Sequence, residues 1–181
     1  MITETIDPNT TMQELLRAYP GAQRALFRKY HIGGCSSCGF QPAETLAQVC
    51  ERNERLPVNE VIDHILAGHE ADLKMQIAPE ELDAKLKTGA PVQLVDVRTR
   101  EEYEAVRIEG SVLLSQERMQ EGLMKWDRTG LLVLIDHLGT RSLDAAAYFT
   151  GHGFENAKSL RGGIDAWSRD VDPALPRYHL E

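Results

Sequence analysis

The sequence predicts a mainly parallel α/β domain, its sheet flanked by helices, preceded by a small all-α helical domain. Three observations predict it. From about residue 74 onward, short aliphatic runs alternate with stretches of helical periodicity, the pattern of a parallel sheet built from strand–helix repeats. The most apolar run, Leu131-Leu-Val-Leu-Ile135, breaks at Asp136, passes Gly139 and Arg141, and becomes helical from Ser142. Before residue 73 there is no strand pattern, and apolar residues recur only at helical spacing.

The first domain is expected over residues 1–72. Thr11 and Glu14 have capping-box spacing, and Met12, Leu15, Leu16 and Tyr19 then form one apolar helical face that Pro20-Gly21 ends. Ala22, Ala25, Leu26 and Tyr30 continue helically up to a loop, Gly33-Gly-Cys-Ser-Ser-Cys-Gly39. Pro42 suits the first turn of a third helix with Leu46, Val49 and Cys50 inward, and Pro57 opens a fourth, lined by Val58, Val61, Ile62, Ile65 and Leu66 until Gly68. Residues 67–74 are polar and read as a linker, with the boundary near residue 73.

The second domain is expected over residues 73–181. Residues 75–78 make a short edge strand, and Pro79 opens a helix through Leu82 and Leu86 to Gly89. Strands follow at Val92–Asp96, Ser111–Leu114, Leu131–Ile135 and Glu155–Leu160. Between and after them, helices are expected at Glu101–Val106, Gln116–Trp126, Ser142–Gly151 and from Gly162-Gly163 through Trp167. In such sheets a ligand sits at the carboxyl ends of the strands, where Asp136 falls.

Composition narrows the function classes. The 181 residues are 27% charged and 42% hydrophobic, ordinary for a soluble globular chain, and the net charge of −8 leaves no basic face for a nucleic-acid backbone. No apolar run approaches the ~20 residues that span a bilayer. The amino terminus lacks the basic start and apolar core of a secretory signal, so a cytoplasmic protein is expected, with neither nucleic acid nor membrane as partner.

The three cysteines, Cys35, Cys38 and Cys50, all lie in the first third. In a reducing compartment they read as thiols, redox partners or metal ligands rather than structural disulfides. Cys35-Ser-Ser-Cys38, with glycines on both sides, can form a dithiol/disulfide or persulfide-carrying pair. Another reading is a metal or iron–sulfur site using Cys35, Cys38, Cys50 and one of His31, His64 or His69. A third is a surface loop whose thiols are inert. Cys50 shares an apolar helix face with Leu46 and Val49, where a cysteine usually acts as a small hydrophobe.

Two stretches resemble known families. Tyr19-Pro20-Gly21-Ala22, then Phe27 through His31-Ile32 and the Gly/Cys-rich loop, resemble a small helical domain found beside hybrid-cluster proteins and at the front of iron–sulfur repair proteins. That resemblance implies a thiol-bearing loop linked to redox or iron–sulfur biology.

In the second domain, four motifs occur in order. They are Asp96-Val-Arg98 with Glu102-Tyr103; Arg107-Ile-Glu-Gly110-Ser111; Asp136-x-x-Gly139-x-Arg141-Ser142; and Gly153-Phe-Glu-Asn156 followed by Leu160-Arg-Gly-Gly-Ile-Asp-Ala-Trp167. Pro173 and Pro176-Arg177-Tyr178 follow as a tail. Together these resemble the rhodanese (sulfurtransferase) family over about residues 75–178. The resemblance implies a loop that receives a sulfane sulfur on a cysteine as a persulfide and passes it to a thiol or cyanide. The departures are as informative. Arg107 and Glu109 stand where the family usually has His and Pro, and Asp136 stands at the position of the nucleophilic cysteine.

A persulfide needs a soft thiolate in an electropositive cradle, and a carboxylate cannot replace it. The cradle itself, Asp136, His137, Leu138, Gly139, Thr140 and Arg141, is intact in sequence. One expectation is that Asp136 occupies its own cradle, taking N–H bonds from the loop and facing Arg141, and so stands in for the anion the family binds. The other is a drifted residue in a disused site. His137 is expected to be solvated, or else to bind an anion. An apolar strand ending in Asp136-His-Leu-Gly-Thr140 is also similar to the aspartate-nucleophile motif of haloacid-dehalogenase-type phosphatases. That chemistry needs a second acid two positions on, where this chain has Leu138. Asp96 and Arg98 are expected to be a buried pair tying loops together beneath the cradle.

The functional expectation is a rhodanese-like protein of sulfur or redox metabolism with no intact catalytic cysteine in its loop. It would act as a binding or regulatory module with a thiol-bearing helical domain. The alternative is a sulfur or electron carrier, or a sulfurtransferase, using Cys35 or Cys38. Expected partners are a thiol-bearing or sulfur-carrier protein and a small anion.

Overall fold

A computed structural model describes residues 5–33 and 39–178. The chain falls into two compact units, Met1–Lys74 and Met75–Glu181.

The first unit holds four helices among its described residues: α1 (Met12–Ala18), α2 (Ala22–Tyr30), α3 (Leu46–Arg52) and α4 (Val58–Lys74). The Thr11/Glu14 capping box forms as expected. Pro42, however, lies outside α3. That helix starts four residues later on a second capping box, Thr45 with Gln48, because a reciprocal cap satisfies backbone donors that a proline at the helix start would leave open. Thr11 and Thr45 form an antiparallel bridge, so the two capped starts are held side by side.

The expected linker is helical. Helix α4 runs through Gly68 to Lys74, although a helical glycine costs about 1 kcal/mol relative to alanine. Tertiary contacts outweigh that cost. Gly68 faces Ala25, and Asp72, buried two residues from the helix end, pairs with Arg24 of α2. The core is Met12, Leu15, Leu26, Ile32, Leu46, Val49, Cys50, Val61 and Ile65.

The second unit is a five-stranded parallel sheet. Its elements are β1 (Gln76–Ile77), α5 (Pro79–Lys87), β2 (Val92–Asp96), α6 (Arg100–Ala105), β3 (Val112–Leu113), α7 (Gln116–Lys125), β4 (Leu131–Ile135), α8 (Arg141–Gly151), β5 (Ala157–Leu160) and α9 (Gly163–Asp170). The strand order is β1-β5-β4-β2-β3 with every pairing parallel. Alternate β4 residues point to opposite faces. Val133 and Ile135 pack with Leu82 of α5 and Ile164 and Trp167 of α9. Leu132 and Leu134 pack with Ala146 and Phe149 of α8 and Phe154. Both faces of the sheet are covered, which is why β4 reads as an unbroken apolar run.

This order fixes where a site can form. From β2 the chain moves outward to β3, and from β4 it moves the opposite way to β5. The connections therefore diverge between β2 and β4, leaving a crevice at their carboxyl ends. Asp96 and Ile135 are register partners there, and the next residue along β4 is Asp136.

Candidate functional site: the loop at the end of β4

The loop 136–140 folds around the side chain of its own first residue. Asp136 is 2% exposed. Its Oδ1 accepts from the Gly139 N–H at 2.6 Å and the Ser142 hydroxyl at 2.8 Å, and its Oδ2 accepts from the Arg141 N–H at 2.8 Å. The Arg141 N–H is one of the orphan backbone groups at the start of α8, and the Gly139 N–H belongs to the loop just before it; together they make the anion cradle. Thr140, the residue before the helix, makes no side-chain cap. The Asp136 carboxylate does that work from four residues upstream.

The loop is pinned from outside by close backbone approach. The Ile164 N–H donates to the Asp136 carbonyl at 2.9 Å, and the Asp165 N–H to the His137 carbonyl at 3.2 Å. A Cβ at Gly163 would stand 2.4 Å from the His137 carbonyl oxygen, and Gly163 has φ +61°. A Cβ at Gly139 would meet the Gly162 nitrogen at 2.8 Å. Gly139 and Gly163 thus let the β4 loop and the start of α9 touch backbone to backbone.

Ser142 and Ser159, both fully buried, extend the network: their hydroxyls lie 2.8 Å apart. A hydroxyl has one proton, so with Ser142 donating to Asp136, Ser159 donates to Ser142. Sequence reasoning overlooked this pair. The available signal was a serine at each of two inward positions, one flanked by Leu143 and Ala146 and one in the alternation Ala157-x-Ser159.

Arg141 departs from expectation. Its backbone N–H serves Asp136, but its half-exposed guanidinium points to Glu102 at 3.8 Å. Glu102 caps α6 by accepting from the Thr99 N–H, and it also accepts from the Tyr178 hydroxyl at 2.9 Å. Burial works against its charge, but these hydrogen bonds and Arg141 outweigh burial and hold its pKa below the usual carboxylate value. Leu138 is exposed at the loop tip.

Beneath the loop, Asp96 and Arg98 form a fully buried pair. Arg98 donates to Asp96 from its backbone N–H, Nε and Nη2, and it also donates from Nη2 to the Val106 carbonyl at 2.6 Å and from Nη1 to the Tyr178 hydroxyl at 2.8 Å. Such satisfaction is what makes an ion pair tolerable at that depth. Burial opposes the charge of Arg98, yet its bonds to Asp96 and Tyr178 raise its pKa overall.

His137 is not solvated. It is 5% exposed, its ring lies 4.3 Å from the Tyr178 ring, and its Nδ1 has no hydrogen-bond partner among the described residues. The covering tyrosine comes from the tail, far outside the reach of local pattern reading.

The cysteine expectations divide. Cys35 and Cys38 lie outside the described residues. Cys50 is buried in the helical core, where burial pushes its thiol pKa up and disfavours the thiolate that metal ligation requires. His31, His64 and His69 each pack edge-on against an aromatic ring (Phe27, Tyr30 and Tyr19), and His64 Nε2 also lies 3.1 Å from the Ala25 carbonyl. Among the described residues no group of three or more His, Cys, Asp or Glu is placed to hold a metal ion. Among them, too, no helix is long and apolar enough to cross a membrane.

A parallel sheet with an anion-type loop at the end of its central strand defines a class, and comparison with known proteins names the family. Residues 78–170 match the Rhodanese family, described as "Rhodanese-like domain". The chain belongs to that family. It is 35% identical over 104 residues to "Thiosulfate sulfurtransferase GlpE" of Pseudomonas paraeruginosa, a match that covers 58% of this chain and 92% of the relative. It is 36% identical over 104 residues to "Probable adenylyltransferase/sulfurtransferase MoeZ" of Mycobacterium tuberculosis, covering 56% of this chain. The matched region spans only 26% of the MoeZ length. Among solved structures, a rhodanese-like domain protein from Staphylococcus aureus aligns with TM-score 0.45 and 27% identity, over 57% of this chain and 98% of that one.

Proposed function

We propose that this chain is a rhodanese-like module of sulfur metabolism whose own loop does not carry sulfur. Asp136 stands where the family's persulfide-forming cysteine belongs, and its carboxylate fills the cradle in place of a bound anion. The observation that carries this reading is the set of three donors, Gly139 N–H, Arg141 N–H and Ser142 Oγ–H, converging on one buried carboxylate.

On this reading the α/β unit binds or regulates a thiol-bearing or sulfur-carrier protein, in the cytoplasm, and thiol chemistry resides in the helical unit. Its Cys35-Ser-Ser-Cys38 sequence, and its sequence likeness to the helical domains of hybrid-cluster and iron–sulfur repair proteins, support that division. The thiosulfate sulfurtransferase named among the relatives supports sulfane sulfur as the chemistry in question.

The test is a thiosulfate:cyanide sulfurtransferase assay on the wild type and on Asp136→Cys, with mass spectrometry for an added sulfur. The wild-type loop is expected to give no persulfide. Asp136→Cys is expected to gain one, because the substitution frees two backbone N–H groups and a hydroxyl around a new thiolate. Wild-type turnover that survives Cys35→Ser and Cys38→Ser together would overturn the proposal. Turnover abolished by either substitution would move the activity to the helical unit, the second reading of the sequence.

A further inference from the structure

We infer that the tail Asp172–Tyr178 is a latch over the β4 loop, holding the imidazole of His137 shut away in one state and presenting it at the loop mouth in another. The inference stands independently of what Asp136 does.

The Asp172 N–H anchors the tail to the Trp167 carbonyl of α9 at 3.0 Å, and beyond Leu175 the closed state is held by side chains. Tyr178 lays its ring on His137, accepts from Arg98 and donates to Glu102, so its hydroxyl is clasped between a guanidinium and a carboxylate. One residue earlier, Arg177 makes a two-pronged contact with Asp165 of α9, at 2.7 and 3.0 Å. Leu175 is partly buried against the core beneath. Among the described residues, no backbone hydrogen bond ties residues 176–178 to the rest of the domain. A segment fixed by a few side-chain contacts and no backbone ladder belongs to the low-stability end of a fold, where local opening occurs.

The closed state also shields a polar group. Among the described residues the buried Nδ1 of His137 has no hydrogen-bond partner. When Tyr178 lifts, water or a ligand reaches that nitrogen. Three polar groups then face the same opening: the His137 imidazole, the Arg98 Nη1 donor and the Glu102 carboxylate, which remains paired with Arg141. The clefts of the α/β unit described by Pro91, Val92 and Leu131, about 310 and 260 Å³, open at the opposite, amino end of β2 and β4. The latch therefore governs the loop end alone.

Carbethoxylation of histidines by diethyl pyrocarbonate, followed residue by residue by peptide mass spectrometry, tests this on the full chain. Exposed His152 and His31 serve as internal references. In the wild type His137 is expected to react more slowly than either, at a rate insensitive to low concentrations of urea, because the opening is local. Tyr178→Phe keeps the ring and removes both hydroxyl contacts. It is expected to speed the His137 reaction by about tenfold, the change that loss of roughly one net charge-assisted hydrogen bond makes in an opening equilibrium. Arg177→Ala is expected to speed it by less, and neither variant should change the reference histidines or the far-ultraviolet circular dichroism. A wild-type His137 as reactive as His152 overturns the latch. So does a His137 rate that climbs with urea as steeply as global unfolding, or one unchanged by Tyr178→Phe in a folded protein.

Discussion

Gly163 shows how much of this site depends on a single missing atom. A methyl group there would stand 2.4 Å from the His137 carbonyl oxygen and 2.5 Å from the Asp136 carbonyl oxygen, both backbone atoms with little room to yield. The φ of +61° adds strain for any L side chain. Gly163→Ala is expected to destabilise the α/β unit by about 2–4 kcal/mol, read as a fall in the urea midpoint without a change in slope. For Asp136, one of the two sequence readings, an acceptor for the loop's N–H groups, matches the bonds it makes, because a strand-to-helix turn exposes donors to its first residue. What sequence could not give was which part of Arg141 serves it. The backbone N–H does, while the guanidinium goes to Glu102, an acid drawn in from α6 by the fold. His137 was misjudged for the same reason: its cover is a tyrosine forty-one positions away, and no local periodicity encodes such a contact.

Elements fared better where their ends carry chemistry of their own. The alternation of strands and helices after residue 74 was readable because each helix begins or ends on a cap, a proline or a glycine. The sheet order was not readable, since it depends on which strands pair. Helix α4 erased an expected linker because two tertiary contacts, Gly68 against Ala25 and Asp72 with Arg24, lie outside any window of helical spacing. The junction between α9 and the tail offers a measurable handle. The Arg177 guanidinium beside Asp165 holds that carboxyl below its ordinary value of 3.8. A depressed folded-state pKa means the stabilisation is fully present above the ordinary value and is lost as pH falls through the lower, folded one. The difference in urea midpoint between wild type and Asp165→Asn should accordingly stay constant from neutrality to about pH 4 and close only below it.

At the scale of the whole chain, two compact units meet between Lys74 and Met75, and each has its own core. The α/β unit has a sheet covered on both faces and every strand paired in parallel. Residues 75–181 expressed alone are expected to melt in one cooperative transition with a calorimetric enthalpy of about 60–80 kcal/mol, the value for a domain near 100 residues. A broad, low-enthalpy transition would show that the unit needs the helical residues to fold.

The carboxylate of Asp136 also sets the terms on which any free anion competes for the loop. It is a ligand delivered by its own chain, one methylene from the backbone that it grips. Even a short flexible tether gives an effective concentration on the order of millimolar, and a rigid one placed in register exceeds it. A dissolved anion must therefore outnumber a rival that never diffuses away and whose negative charge repels it on approach. Raising the concentration of thiosulfate or phosphate is a poor way to load this loop, and exchanging the tethered group is a good one.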